Sequence, residues 1–121
     1  MSSYDDEHPK LCSSGCFVGL WVDDVRPTPD HLQNKGWCRA RSFHEAITKL
    51  ELMDYHEISL DHDLASFYGN REMTGYDIVM WLVARKQQGG YVPSIIHVHS
   101  ANPVGRKNIQ DVVNQYFPPI C

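Results

Sequence analysis

The sequence predicts a single α/β domain in which an open parallel sheet of about four strands lies between helices, in three layers. Its apolar runs are continuous, as in strands that are buried on both faces of a parallel sheet. These runs alternate with segments of helical period, and strand–helix alternation with right-handed crossovers builds a parallel sheet. A chain of 121 residues is long enough for one compact domain of roughly 100–150 residues and no more.

Four strands are predicted from short apolar runs that end at polar or turn-forming residues. They cover residues 16–22, 37–41, 57–60 and 94–99. The segment Arg26-Pro27-Thr28-Pro29 is incompatible with a long helix, so residues 25–36 are predicted as a loop with at most one helical turn. Residues 65–73 are also predicted as a loop, with Gly69-Asn70 at its turn.

Three helices are predicted, and each begins at a recognisable capping residue. Ser42 and Glu45 form a capping-box pattern, and the residues at 74 and 77 repeat it with Asp in place of Glu. Asn102 followed by Pro103 suits an N-cap and the first helical position. Together with apolar residues at helical spacing, these caps predict helices over residues 43–53, 75–88 and 103–116.

Composition and charge exclude several classes of protein. Residues 1–15 carry no apolar period and are predicted as a flexible N-terminal arm, which leaves residues 16–121 as the domain. The net charge of −4 argues against bulk nucleic-acid binding. No apolar run approaches the ~20 residues of a membrane span, and no basic-then-apolar leader is visible. We therefore expect a cytoplasmic protein without a membrane partner. The sequence gives no indication of whether the protein is a monomer or an oligomer.

Polar, titratable residues follow three of the predicted strands directly. The first strand ends at Asp23-Asp24 with Arg26 close behind, the strand over 57–60 ends at Asp61-His62-Asp63, and the last one ends in His97, His99, Ser100 and Asn102. Because the carboxyl ends of parallel strands lie along one edge of a sheet, these side chains are expected to face one pocket.

The carboxylates of this edge allow two interpretations. Asp23 and Asp24, together with Asp61 or Asp63, could hold a hard cation such as Mg²⁺, which prefers oxygen ligands. Without a metal, like-charged neighbours would raise the pKa of one carboxyl, which would then carry a proton. The pattern leaves both interpretations open, beside the plainer one of an Asp that caps the following turn.

His97 and His99 lie two residues apart on a strand, so both side chains are expected on the same face. Their candidate roles are general acid and base, hydrogen bonding to a phosphate, or metal ligation completed by a carboxylate such as Asp61. These alternatives also stay open.

The start of the last helix has the character of an anion site. Asn102 is followed by Gly105, Arg106 and Lys107, and cations in a first helical turn oppose the helix dipole unless an anion is bound. A helix N-terminus presents backbone N–H groups, which suit a phosphate. The alternative is a solvated basic pair on an exposed helix face.

Five segments of the chain resemble one known family. They are Leu20 to Pro27, Ala40 to Ile47, Ser59 to Leu64, Thr74 to Asp77 and His97 to Gly105. The chain is similar over these segments to the cyclic-phosphate-processing receiver-like domain family, a relative of bacterial response-regulator receiver domains. The resemblance runs from about Phe17 to Tyr116 and implies a receiver/flavodoxin-like fold with a site for a cyclic phosphate ester.

The receiver pattern is matched in part. Receivers place an acidic pair after the first strand and a phosphoacceptor aspartate after the third, and Asp23-Asp24 and Asp61 match these positions. Ser100 matches the Ser or Thr that follows the fourth strand. The fifth strand and its lysine have no counterpart, and the histidines of the candidate site do not belong to the receiver pattern. This departure favours a pocket rebuilt for a phosphate ester over a phosphorelay.

Two functional hypotheses follow. The first is a small phosphoesterase that binds and opens a cyclic phosphate on a nucleotide, an ADP-ribose-type molecule or an RNA end. Its catalytic candidates are His97, His99, Asp61 and His62. Its phosphate-binding candidates are Arg26, Ser100, Asn102, Gly105, Arg106 and Lys107, and its candidate Mg²⁺ ligands are Asp23, Asp24, Asp61 and Asp63. The second is a non-catalytic divergent receiver that binds a nucleotide, or is phosphorylated on an Asp, and signals to a partner.

Overall fold

The computed structural model describes residues 17–64 and 66–117 of the chain. The arm expected over residues 1–15 lies outside this described part. The strands are β1 (Phe17–Val22), β2 (Cys38–Ala40), β3 (Tyr55–Leu60), β4 (Ser66–Tyr68), β5 (Arg71–Met73) and β6 (Ile95–Val98). The helices are α1 (Asp30–Gln33), α2 (Phe43–Leu52), α3 (Gly75–Gln87) and α4 (Pro103–Tyr116).

The main sheet is parallel, as predicted, with the strand order β2-β1-β3-β6. The chain moves across the sheet in one direction from β1 to β2, and in the other direction from β2 to β3 and from β3 to β6. Because crossovers between parallel strands are right-handed, this change of direction places α1 on one face of the sheet and α2 and α3 on the opposite face. Helix α4 packs against α3 and β6, so it shares the face of α2 and α3. The resulting arrangement is an open parallel sheet flanked by helices, as in a receiver/flavodoxin-like fold.

The hydrophobic core fills the face that α2, α3 and α4 cover. Alternate strand residues point into it because side chains along a strand alternate between faces. The most deeply buried of them are Leu20, Val22, Ile58 and Leu60, which pack with Ala46, Ile78, Leu82 and Ile109 of the three helices. Burial of such side chains, worth about 1.5–3 kcal/mol each, fixes the strand register and with it the position of every strand end.

The opposite face of the sheet carries a row of polar and aromatic side chains. Strand register places Trp21 beside Ser59 and Ser59 beside His97. Trp37, which precedes β2, lies directly over Gly19, and a Cβ atom at residue 19 would overlap its indole ring. This face leads toward the carboxyl edge and supplies two residues of the candidate site.

Each of the three longer helices begins at its predicted cap. Ser42 Oγ accepts the N–H of Glu45 at 3.0 Å, and Asp77 Oδ2 accepts the N–H of Thr74 at 2.8 Å. Asn102 Oδ1 accepts the N–H of Gly105 at 3.1 Å. The start of α4 follows the end of β6 directly, and the N–H of Gly75 at the start of α3 donates to the carbonyl oxygen of His62, just beyond β3.

The prediction of a plain loop over residues 65–73 is wrong. The segment contains a short antiparallel hairpin, β4–β5, with Gly69 at a φ of 63° in its turn. Strands of three residues are too short to show a period, so only the turn was readable from the sequence. His44 Nε2 lies 3.1 Å from the carbonyl oxygen of Phe67, which ties the hairpin to α2. In the described part of the chain, no helix has the length and apolarity that crossing a membrane requires.

Candidate functional site

Three aspartates gather where β1 and β3 end. Asp23, Asp24 and Asp61 each offer one carboxylate oxygen, and these oxygens lie within 4.8 Å of one another. Asp23 is buried, with 1% of its surface exposed, and the other two are half-buried. The parallel register explains the proximity, since Val22 lies beside Leu60 and the next residues of both strands enter the same space. We call these three residues the acidic cluster.

The carboxylate of Asp23 is held from three directions. Its Oδ1 accepts the N–H groups of Val25 at 2.9 Å and Arg26 at 2.8 Å, and its Oδ2 lies 3.0 Å from His99 Nε2. These three contacts fix the orientation of the buried carboxylate. Asp23 is thus a rigidly held group at the base of the cluster.

His99 is a positioning group for Asp23. A carboxylate only accepts hydrogen bonds, so Nε2 carries the proton, and Nδ1 of the neutral ring then accepts the hydroxyl of Ser59 at 2.7 Å. Burial lowers the pKa of His99, and this lowering favours the neutral ring. The neighbouring Asp23 opposes the shift without reversing it. The imidazole also stacks on Trp21, with ring centroids 3.7 Å apart and planes 4° from parallel. Both nitrogens and one ring face are therefore engaged within the protein.

Asp61 is the member of the cluster best suited to carry a proton. Burial raises its pKa, and the neighbouring charge of Asp23 raises it further. A hydrogen bond from Ser100 and the proximity of His99 oppose this shift without reversing it. Ser100 is itself buried, and its Oγ accepts the N–H of Asn102 at 3.1 Å. The last strand end is thereby joined to the cluster.

A second group of polar side chains joins the end of β3 to the start of α4. His62 Nδ1 lies 2.8 Å from Asp63 Oδ1, and Asn102 Nδ2 donates to Asp63 Oδ2 at 3.4 Å. Asp63 is therefore engaged here and is not a member of the acidic cluster. The ring of His62 packs against Gly105, where a Cβ atom would overlap it. Gly105 is one of the predicted phosphate-binding residues, and in the structure the space beside its Cα holds the ring of His62.

Arg26 places a cation at the mouth of the cluster. Its Nη1 donates to the carbonyl oxygen of His99 at 3.3 Å, and its side chain is exposed. The backbone N–H of the same residue is fixed by Asp23. An anionic ligand at the cluster would therefore meet a guanidinium that the site already orients.

Two of the predicted cations lie on the first turns of α4. The amide of Arg106 donates to the carbonyl oxygen of Asn102 at 2.8 Å, and its side chain is exposed. Lys107 Nζ pairs with Asp111 Oδ2 at 2.9 Å along the same helix. Lys107 is thus partly neutralised, whereas Arg106 has no ion pair of 4.0 Å or less among the described residues.

His97 lies on the same face of the sheet as His99. Its hydrogen-bond partner is Glu57, and that of His99 is Ser59. These two partners are two residues apart on β3, so they share a face. His97 Nε2 lies 2.9 Å from Glu57 Oε1, and the side chain is 52% exposed. Among the described residues the structure does not bring His97 to the acidic cluster.

The sequence matches one family over nearly the whole domain. Residues 18–115 match the family described as "Cyclic-phosphate processing Receiver domain". The chain belongs to this family. No curated protein and no solved structure gives a significant match.

Membership of the cyclic-phosphate processing receiver family fits the position of the acidic cluster. The acidic pair after β1 and the aspartate after β3 occupy the positions that carry the acidic site of a receiver, and Ser100 follows the fourth strand of the parallel sheet. In the described residues this sheet has four strands, so no fifth strand delivers a lysine to the cluster. Among the described residues, Arg26 reaches the neighbourhood of the cluster, where its Nη1 donates to the carbonyl oxygen of His99.

Sequence reasoning missed three residues that shape the site. Ser59 and Trp21 lie inside strands, so the pattern of apolar runs predicts only a structural role for them. In the structure both contact the ring of His99 and hold it in place. Gly75 begins α3 and donates its N–H to the carbonyl oxygen of His62 at 2.9 Å, and a Cβ atom there would overlap the carbonyl oxygen of Asp61. The glycine after a helix cap was the only readable signal among the three.

Proposed function

We propose that this domain is a small phosphoesterase that binds a cyclic phosphate ester of a nucleotide-type molecule at the acidic cluster and opens it. The observation that carries the proposal is the packing of Asp61, whose pKa is raised, against the fixed carboxylate of Asp23. A carboxyl whose pKa is raised in this way is a stronger base than an ordinary aspartate, so it is suited to take a proton from water. The choice of a cyclic phosphate ester as the substrate rests on the description of the family, which refers to cyclic-phosphate processing.

The reaction is the hydrolysis of one ring bond. Water attacks phosphorus, the endocyclic P–O bond breaks, and its electron pair goes to the sugar oxygen, which takes a proton to become a hydroxyl. The product is a phosphomonoester. Catalysis therefore needs a group that takes the proton of the water, a group that gives a proton to the leaving oxygen, and positive charge around phosphorus.

The chain has a candidate for each of these roles. Asp61 takes the proton of the attacking water. His62 gives a proton to the leaving oxygen from Nε2, because Asp63 engages its Nδ1 and leaves Nε2 for the substrate. Arg26 binds the non-bridging phosphate oxygens, assisted by the dipole of α4 and by Arg106. His99 keeps Asp23 in place and moves no proton itself.

The acidic cluster also has the chemistry of a magnesium site. Asp23, Asp24 and Asp61 present hard oxygen atoms at one point, which is the ligand type that Mg²⁺ takes in proteins, with water completing its shell. A bound Mg²⁺ would polarise the phosphoryl group and make water more acidic. Asp63 is not part of this donor set, because its two oxygens bond to His62 and Asn102.

A turnover assay tests the proposal. The protein is incubated with adenosine 2′,3′-cyclic phosphate in Mg²⁺ or in chelator, and the monoester is measured by chromatography. Replacing Asp61 with Asn should lower the rate by about 100-fold or more, the usual contribution of general acid–base catalysis. The Glu57→Gln variant is the matched control, since Glu57 lies on β3, the strand that Asp61 follows, but pairs with His97. Release of monoester at the same rate by Asp61→Asn and the parent protein would overturn the assignment.

The receiver-like position of Asp61 favours one second candidate, phosphorylation of this residue followed by signalling to a partner. Incubation with a small phosphodonor and Mg²⁺, followed by intact mass measurement, separates the two candidates. A phosphate adduct that Asp61→Asn loses would support the receiver function. Monoester release without an adduct would support the phosphoesterase.

A further inference from the structure

A cleft opens on the helix side of the acidic edge. It lies between the β4–β5 hairpin, the first turn of α3 and the face of α4, and its volume is about 580 Å³. Residues of all three elements line it, among them Arg71, Tyr76, Asn108 and Asp111. Small-molecule sites commonly have volumes of about 300–1,000 Å³, so a nucleoside fits.

His62 connects this cleft to the proposed phosphate site. Its ring lines the cleft and packs against Gly105 at the start of α4, while its backbone follows Asp61 directly. A ligand whose phosphate lies at the acidic cluster can therefore extend past His62 into the cleft without leaving the protein surface. The proposed leaving oxygen, next to His62, would lie at the junction.

The charges of the cleft are unfavourable to a second phosphate. Arg71 Nη2 pairs with Asp77 Oδ1 at 2.6 Å, so the one arginine that lines the cleft is already matched by a carboxylate. Glu72 and Asp111 add two further carboxylates to the lining, and Lys107 is drawn to Asp111 from the adjacent helix face. Three carboxylates around the cleft therefore meet two cations, Arg71 and Lys107, and this excess of one negative charge favours neutral, hydroxyl-rich or cationic groups.

The remaining side chains suit a base and a sugar. Tyr76 is half-buried and offers a ring against which a base can stack, and the exposed amide of Asn108 can both donate and accept. Carboxylates such as Asp111 accept hydrogen bonds from sugar hydroxyls. The Arg71–Asp77 pair and the cap of α3 fix the opposite wall, so the cleft is formed before a ligand arrives.

We propose that this cleft is the nucleoside subsite of the enzyme, and that the substrate is a nucleoside cyclic phosphate with no phosphate beyond the one in the ring. The inference rests on the proposed function and narrows its substrate class. Nucleotides that carry a further phosphate or a pyrophosphate bind less well, because that group would face Glu72 and Asp111.

Calorimetric titration of variants with adenosine 2′,3′-cyclic phosphate tests the subsite. Asn108→Ala should raise Kd about three- to tenfold, the loss of one or two hydrogen bonds. Gln110→Ala is the matched control, since Gln110 is also exposed on α4 but lines a different groove. Inorganic phosphate should bind with the same Kd to all three proteins, because it reaches only the acidic edge.

The same titration with an additional 5′-phosphate on the ligand tests the charge argument. The extra phosphate should weaken binding to the parent protein, and Asp111→Asn should reduce that difference. Equal Kd values for the parent protein and Asn108→Ala, or tighter binding of the 5′-phosphorylated ligand, would overturn the subsite.

Turnover is measured on the same samples, which separates the two claims. Binding that depends on Asn108 without any monoester release would contradict the phosphoesterase and leave the nucleoside subsite standing. Turnover at the same rate in Asn108→Ala and the parent protein would contradict the nucleoside subsite and leave the phosphoesterase standing. Failure of the parent protein to bind the cyclic nucleotide would contradict both.

Discussion

Removal of the Ser59 hydroxyl tests how the buried part of the site is built. Ser59 is 5% exposed, and its Oγ lies 2.7 Å from Nδ1 of His99, whose own side chain is 15% exposed. In Ser59→Ala the nitrogen becomes a buried acceptor without a donor. Such an unsatisfied group costs about 1–3 kcal/mol.

The free energy of unfolding should therefore fall by about 1–3 kcal/mol in Ser59→Ala. In a domain of about 100 residues each kcal/mol corresponds to about 4–8 °C in Tm. Denaturant unfolding of the parent protein, Ser59→Ala and Ser59→Thr measures the loss, with threonine expected to restore the hydrogen bond. Glu57→Gln, two residues away on the same strand, controls for changes to the sheet surface.

Nitrogen-15 NMR of the His99 ring provides the readout that a packing defect alone would not give. In the parent protein Nε2 should be protonated and Nδ1 unprotonated but hydrogen-bonded, and in Ser59→Ala the Nδ1 resonance should shift while Nε2 keeps its proton. A parent protein in which Nδ1 carries the proton would refute this reasoning. So would unchanged stability in Ser59→Ala.

Three further predictions concern the cluster and the start of α4. Burial raises the pKa of Asp61, so the folded protein holds this proton more firmly than the unfolded chain does. As the pH rises from the ordinary carboxyl range through the raised pKa, the parent protein without metal should therefore lose stability relative to Asp61→Asn. Unfolding experiments at a series of pH values measure this difference. Mg²⁺ should oppose this loss by binding the ionised cluster. Gly105→Ala should destabilise the domain by about 1–3 kcal/mol, since its Cβ overlaps the ring of His62, whereas no change in thermal unfolding would contradict that packing. His99→Ala should reduce turnover by about tenfold or more through the loss of Asp23 positioning, while His97→Ala should have a smaller effect because His97 pairs with Glu57, and a larger effect at His97 would restore it as a catalytic group.

The meeting of the aspartates that follow β1 and β3 could be predicted from the sequence, because the carboxyl ends of parallel strands lie along one edge of a sheet. Asp23 and Asp61 are far apart in the sequence, yet both directly follow apolar runs, and this pattern indicates that their carboxylates meet. The caps of the longer helices were readable for a similar reason, since Ser42 and Asn102 act on residues three positions away. Local chemistry with a fixed spacing leaves a visible signal.

The parts that could not be anticipated depend on contacts between distant elements. Nothing around Ser59 shows that its hydroxyl meets a histidine 40 residues later. Lys107 was expected to face an anion, but Asp111 one turn further on competes for it. Asp63 and Asp61 are equally plausible metal ligands in sequence, but in the structure Asp61 lies with Asp23 while Asp63, beyond the end of β3, bonds to His62.

Phosphorus-31 NMR in ¹⁸O-labelled water tests the central claim most directly. The protein is mixed with adenosine 2′,3′-cyclic phosphate, and the cyclic phosphate and monoester resonances are followed in time. Hydrolysis at the acidic cluster predicts a monoester that carries one ¹⁸O atom on phosphorus, formed by the parent protein and not by Asp61→Asn. A cyclic phosphate that persists as long as in the protein-free sample would contradict the account, and so would a monoester without the label.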